Sequence, residues 1–407
     1  MIQLFTLAFR DLNRNRRRTF FSALAVGAGL MVLLLLAATI KGEYGSALAS
    51  GIRLQTGHLQ VRAKSYDETK TSLQYEDLIA NPDQVAAQVA AIPGVKAATP
   101  RLFAAGFVAV GNQSAGVRIF GIDPASAASD PYRTGVVSGQ FFTADDSQGL
   151  LVGQTLADKF QLKAGDQVNL SVNTSNGDVA QQAFTVRGIY STNTPGFDGG
   201  TILLPLAKAQ TIAVAEKHAS IIFVLLNDIA QTDRVAAALR SPAYQVLTYA
   251  QLNPLVLQTE QLANGYMVFL YLIVLGIAAT VIVNTLIMAV FERTREIGIL
   301  AAIGMRSRSI LGLFLAESSL LAVGGIILGL VLGGLLLSYF VSHGIYIGNV
   351  GLSTGILLGS TIYPQPTLTD TINLTLAAFV VTLLAGVYPA LMASRMEPVT
   401  ALRGGGE

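Results

Sequence analysis

Four stretches of this chain are apolar enough and long enough to cross a hydrocarbon layer, and basic residues cluster on only some of the segments between them. A bilayer core roughly 30 Å thick takes about 20 helical residues to span. Residues 20–40, 265–291, 310–340 and 372–394 meet that requirement, and the third is long enough to need tilt. The remaining sequence has ordinary soluble character. With 52% hydrophobic and 13% charged residues among 407, the chain is too apolar for a soluble globule and too charged for a pure membrane bundle.

Charge placement orients the spans. Arg10, Arg14, Arg16, Arg17 and Arg18 precede the first, Arg293, Arg295, Arg306 and Arg308 lie in residues 292–309, and Arg395 and Arg403 follow the fourth. Residues 341–371 contain no Lys or Arg. Under the positive-inside rule both termini and residues 292–309 are cytoplasmic, and residues 41–264 and 341–371 lie outside. A cleaved signal peptide is the alternative for the N-terminus, since Ala47-Leu48-Ala49 fits a small-x-small cut site. The run at 20–40 exceeds the roughly 7–15 apolar residues of a signal core, and the cut lies well past its end. Ile2, Phe5, Phe9 and Leu12 recur at helical spacing, so residues 1–19 are expected to form an interfacial helix.

The outer segment alternates strand-like and helix-like stretches. Gly57–Val61, Phe107–Val110, Val117–Ile122, Ile221–Leu226 and Gln245–Leu247 read as strands, and Pro82–Val89 and Thr232–Leu239 as helices. Two βαβ-like parts, 41–122 and 202–264, flank a Gly-, Asp-, Asn- and Ser-rich β insertion at 123–201. The fold class is therefore an α-helical membrane protein with four transmembrane helices and a large α+β extracytoplasmic domain. Leu255–Gln261 is expected to be helical and to run into the second span.

Catalytic motifs fail on context. Gly351-Leu352-Ser353-Thr354-Gly355 matches a nucleophile elbow with His343 upstream, but its flanks are loop-like and no His follows Ser353. The three histidines, His58, His218 and His343, include no i, i+4 pair, and there is no cysteine, so no metal site is expected. No Gly-Lys dipeptide occurs, so no Walker A loop is present and any ATP must be handled by another polypeptide.

Within the spans, Gly325, Gly329 and Gly333 form an i, i+4, i+8 stripe for close helix packing. Glu317 is an ionisable residue in the third span, costing up to roughly 2.5–3.5 kcal/mol if central. It is expected to snorkel or to bond Ser318, Ser319 or a neighbouring helix; proton coupling is the alternative. Pro389 should kink the fourth span. In the loop, charges gather at Glu292–Glu296, and from Ile297 onward residues are apolar on nearly every side. A helix lying on the membrane would explain this, and so would one docking on a cytoplasmic partner, with Gly304 ending it.

That loop, Arg293-x-Arg295-Glu296-Ile297-Gly298-Ile299-Leu300-x-Ala302-Ile303-Gly304, resembles the coupling segment of ABC-transporter permeases of the MacB, LolC/LolE and FtsX group. Phe314-Leu315-x-Glu317, Tyr388-Pro389-Ala390 and the segment Ala393–Arg403 are similar to that group's third helix and C-terminal signature, as is Arg14–Thr19 to its N-terminal flank. Gln55–Val61, Gly165–Val168 and Phe184–Ile189 look closest to the lipoprotein-releasing LolC/LolE branch.

The resemblance implies a non-catalytic permease in the bacterial inner membrane, with a porter-like outer domain. It implies ATPase coupling through Arg293, Arg295, Glu296, Ile297, Gly298, Leu300 and Gly304. The implied partners are a separate cytoplasmic P-loop ATPase dimer, which carries ATP and Mg2+, a second permease chain, identical or paralogous, and a periplasmic adaptor or lipoprotein. No cofactor on this chain and no nucleic acid are implied. The function implied is lipoprotein release or extrusion of a lipid-anchored, peptide or drug substrate; the alternative is an FtsX-like regulator that activates a cell-wall hydrolase without transport.

Overall fold

The computed structural model describes residues 2–67, 70, 73–348 and 357–397. The Gly351–Gly355 motif with Ser353, and Pro398, Val399, Ala401, Leu402 and Arg403, lie outside the described residues. The chain divides into two compact units, one of residues 1–43, 260–345 and 362–407, the other of residues 44–259 and 346–361.

The first unit is helical. It is built on α1 (Ile2–Arg14), α2 (Arg16–Gly51), α3 (Pro254–Glu292), α4 (Thr294–Ala302), α5 (Ser307–His343) and α6 (Leu368–Ser394). Of these, α2, α3, α5 and α6 are long and apolar enough to cross a membrane. Leu255–Gln261 belongs to the same unbroken helix as the second span. Leu30, Leu33 and Leu34 of α2 pack with Leu275 of α3, Ile326 and Leu337 of α5 and Leu374 of α6. Phe269, Leu272, Ile277, Ile327, Leu335 and Leu384 remain exposed, as befits a surface that meets lipid or another apolar chain. The glycine stripe of α5 faces α2. A Cβ at Gly325 would lie 2.6 Å from Val26 Cβ, and one at Gly329 would lie 2.8 Å from the Gly27 carbonyl oxygen. Pro389 sits inside α6 and is buried.

The second unit is built on a ten-stranded sheet. Its strands are β1 (Leu59–Ala63), β3 (Val95–Val110), β4 (Gln113–Ile122), β5 (Val136–Gly139), β6 (Gly149–Gly153), β7 (Gln167–Asn173), β8 (Val179–Tyr190), β9 (Thr201–Pro205), β11 (Ile221–Leu226) and β12 (Tyr244–Thr248). The short strands β2 (Ile79–Ala80) and β10 (His218–Ala219) form a separate pair. The order is β12-β1-β11-β3-β4-β9-β6-β8-β5, with β7 bridging β3 and β8. Strand β3 joins two regions: Val95–Arg101 pairs with β11, and Leu102–Val110 pairs with β4. On the β1/β11/β12 side, Leu59, Val61, Ile222 and Val224 pack under the helices Pro82–Ala90 and Thr232–Ala238 through Val89 and Val235. On the other side β7 alternates cleanly, burying Val168, Leu170 and Val172 beside Val108, Ile119 and Val186.

A π-helical turn, Ile52–Thr56, precedes β1 and is closed by Gly57 at φ 67°. A side chain at Gly57 would meet the Val224 carbonyl oxygen at 2.7 Å, so only glycine fits. Fully buried Arg101 holds this turn, donating to the carbonyl oxygens of Leu54 at 2.8 Å and Ala128 at 3.0 Å. Its guanidinium carbon stands 3.5 Å from the Phe223 ring centroid, so a ring face supplies part of what water would. The Tyr132 hydroxyl donates to the same Leu54 oxygen.

Candidate functional site

The segment after α3 folds as a separate short helix because Arg293 leaves helical geometry at φ −110°, ψ 14°, and Thr294 starts a new axis. Its end is a Schellman closure: Gly304, at φ 99°, donates to Ala301 O at 3.1 Å, and Met305 donates to Leu300 O at 3.0 Å. Between these limits α4 has two faces. Ile297 and Gly298 are buried, with Ile297 packed against Val290, Ile310, Phe314 and Ala390 at the ends of α3, α5 and α6. Arg295, Glu296, Ala302 and Gly304 are exposed, and Leu300 is half-buried. Ile299 and Ile303 are 44% and 81% exposed, so Arg295, Ile299 and Ile303 make an outward stripe at i, i+4, i+8.

Of the residues assigned to ATPase coupling from the sequence, Arg295, Glu296 and Gly304 therefore face outward, whereas Arg293, Ile297 and Gly298 face the helical unit. Arg293 is held inside by three contacts. Its Nη1 lies 3.0 Å from Glu317 Oε1 and 2.9 Å from Asp11 Oδ2, and its Nη2 donates to the Asp11 carbonyl oxygen at 3.1 Å. The partner of Glu317 thus comes from the junction between α3 and α4 and not from another span. The Arg293 and Glu317 side chains are only 5% and 3% exposed, so neither charge could stand there alone. Glu317 Oε2 and Arg293 Nε have no protein partner, and Glu317 also lines a cavity of about 10 Å³, close to the room one water needs.

Two more ion pairs tie the N-terminal segment to this loop: Arg14 to Glu296 at 3.1 Å and Arg18 to Glu292 at 2.6 Å. The sequence marks Arg14 and Arg18 only as orienting charges and Glu292 only as part of the loop's charge cluster; Asp11 and all of these pairings were missed. The available signal was Asp11, the one acid in an otherwise basic flank, opposite a loop rich in both signs. Ala8 of α1 is buried against Leu313 and Ala316 of α5, so α1 is packed on the bundle as well as charge-paired.

Other sequence candidates have structural surroundings. His58 Nδ1 accepts from the Leu226 amide at 3.1 Å, the His218 ring lies 4.0 Å from that of Tyr75, and His343 stacks on Tyr339. Among the described residues no cluster of His, Cys, Asp or Glu could hold a metal ion.

Two family models cover most of this architecture: the MacB-like periplasmic core domain matches residues 19–241, and the FtsX-like permease C-terminal matches residues 268–398. The chain belongs to the MacB/FtsX permease family. Its relatives include the macrolide export ATP-binding/permease protein MacB of Bdellovibrio bacteriovorus, 24% identical over 99% of this chain and 62% of the relative. The lipoprotein-releasing system transmembrane protein LolE of Haemophilus influenzae is 24% identical over 94% of this chain and 93% of its own length. An uncharacterised ABC transporter permease of Methanocaldococcus jannaschii is 25% identical over 66% of this chain and 65% of the relative. The chain thus spans about three fifths of the MacB relative and nearly all of LolE. In family terms it is a membrane protein with four candidate spans and a domain matching the MacB-like periplasmic core, and α4 with its surroundings falls inside the FtsX-like match.

Proposed function

We propose that this chain is the membrane subunit of an ABC transporter driven by a separate cytoplasmic P-loop ATPase dimer, and that it acts on a lipid-anchored substrate outside the cytoplasm, as in lipoprotein release. The observation that carries this is the outward stripe of α4. Arg295, Ile299 and Ile303 expose apolar surface flanked by charge on a helix whose opposite face is fixed in the bundle. An apolar stripe with a charged end is the form a helix takes when it lies in a partner's groove. The basic flanks support both termini and α4 being cytoplasmic in a bacterial inner membrane. Four spans per chain are few for a transport path, which supports a second permease chain, identical or paralogous.

ATP binding on the partner would draw its two subunits together and displace α4, and the outer domain would follow. The test is co-purification of a candidate P-loop ATPase co-expressed with this chain. Ile303→Asp places a charge in the stripe without touching the buried face. It is expected to abolish co-purification while membrane insertion is retained; an ATPase that still co-purifies with Ile303→Asp removes the docking role of the stripe.

A further inference from the structure

Among the described residues, the ion pairs at α4 and the residue before it lead to the N-terminal segment or to α5. Arg293 is the residue immediately before α4, and its guanidinium binds Glu317 of α5 together with both the carboxylate and the backbone oxygen of Asp11 in α1. Arg14–Glu296 and Arg18–Glu292 add two further links from the N-terminal segment, one to α4 and one to the end of α3. These outer pairs are partly exposed, and such pairs hold weakly. The Arg293–Glu317 pair is buried and directional, since a planar guanidinium fixes the angle of each acceptor where an apolar contact permits sliding.

The surrounding packing does not supply the same constraint. Within the nearest apolar cluster α4 contributes buried Ile297 and partly buried Ala301, two side chains on a nine-residue helix. At the other end Gly304 takes a left-handed backbone where an added Cβ would meet nothing within 4 Å, and Met305 after it is only partly buried against the same cluster. Apolar contacts can slide, so a force applied at Ile299 and Ile303 would rotate such a helix about them unless Arg293, just before its first residue, were pinned.

We infer that Asp11, Arg293 and Glu317 form a three-way junction that makes α1, α4 and α5 move as one piece, so that Glu317 and Asp11 are positioning residues for force transmission. This rests on the docking reading above, but it assigns a role to α1 and to the intramembrane acid that docking does not require.

The experiment uses the full permease with its ATPase in lipid nanodiscs. A single introduced cysteine, Val137→Cys, carries an environment-sensitive fluorophore on the outer domain; the chain has no other cysteine, and Val137 is 57% exposed. ATP with vanadate is the probe. Glu317→Gln is expected to keep ATPase co-purification and vanadate trapping, because the outward stripe is untouched, and to reduce the outer-domain signal at least tenfold. An undiminished signal in Glu317→Gln overturns the junction.

Because one lone buried charge can unfold a protein, a second variant replaces both partners, Arg293→Met with Glu317→Leu, which keeps apolar packing. A signal still reduced tenfold in the folded double variant supports a directional link. A signal restored to the wild-type level shows that packing alone suffices and overturns it. Failure of the docking reading looks different, since the ATPase would then not co-purify even with the wild-type chain.

Discussion

Asp198 carries a pH dependence that its hydrogen bonds alone would not suggest. Its carboxylate is 2% exposed and accepts from the Thr192 amide at 3.0 Å, from Thr192 Oγ1 at 2.7 Å and from Ser191 Oγ at 3.3 Å. Burial nevertheless outweighs these donors and lifts its pKa from 3.8 to about 6. A carboxyl raised on folding binds its proton more tightly in the native state. Its stabilising contribution is therefore complete below about pH 4 and is lost as pH rises through about 6, a loss of about 3 kcal/mol at most. Melting the detergent-solubilised chain between pH 4 and pH 8, we expect the wild type to lose stability relative to Asp198→Asn across that window; a constant difference would contradict the assignment. The residue-level lesson is that environment, not residue type, decides charge behaviour. Arg293 and Arg295 look alike in the sequence, yet one is sealed against Glu317 and the other faces solvent. That inversion was not legible, because the phase of a nine-residue helix depends on where its first residue breaks from the preceding helix.

Helix packing was legible wherever periodicity encodes it. The stripe Gly325, Gly329, Gly333 announces a close approach, and the structure supplies its counterpart, since a Cβ at Gly27 on α2 would lie 2.9 Å from the Gly325 carbonyl oxygen. In lipid, apolar burial gives little drive to bring helices together, so this backbone proximity and its dispersion contacts carry the association. Gly329→Leu forces the two helices apart and is expected to cost about 1–3 kcal/mol, as overpacking does elsewhere. Gly334→Leu is the control, since nothing lies within 4 Å of its would-be Cβ. A thermal-stability scan in detergent should show several degrees lost for the first and no change for the second; equal effects would mean that the stripe does not set the packing. The strands were legible as segments for the related reason that β7 and β11 carry their patterns locally. Their order was not, because β3 takes different partners along its 16 residues, β11 in its first half and β4 and β7 in its second, and no local pattern marks the handover.

For the whole molecule, the decisive asymmetry is that Arg residues crowd one set of loops while residues 341–371 have no Lys or Arg. Translocating a basic flank against the membrane potential is unfavourable, by about 2.3 kcal/mol per charge per 100 mV, so the asymmetry favours the proposed orientation, with the basic flanks cytoplasmic. Orientation in turn decides what the chain can do. If α4 is cytoplasmic its outward stripe can meet an ATPase; if it were outside, no ATP-driven partner could reach it. The cysteine-free sequence allows this to be checked with one label per variant. Val137→Cys, on the outer domain, and Arg306→Cys, just beyond α4, both replace exposed residues. With a membrane-impermeant maleimide, Val137→Cys is expected to react in intact spheroplasts and Arg306→Cys only after lysis. The reverse pattern would place the stripe outside and end the ATPase-driven reading. Labelling of both sites in intact, unlysed cells would contradict a single orientation and would trace to mixed insertion, which the strength of the charge asymmetry argues against.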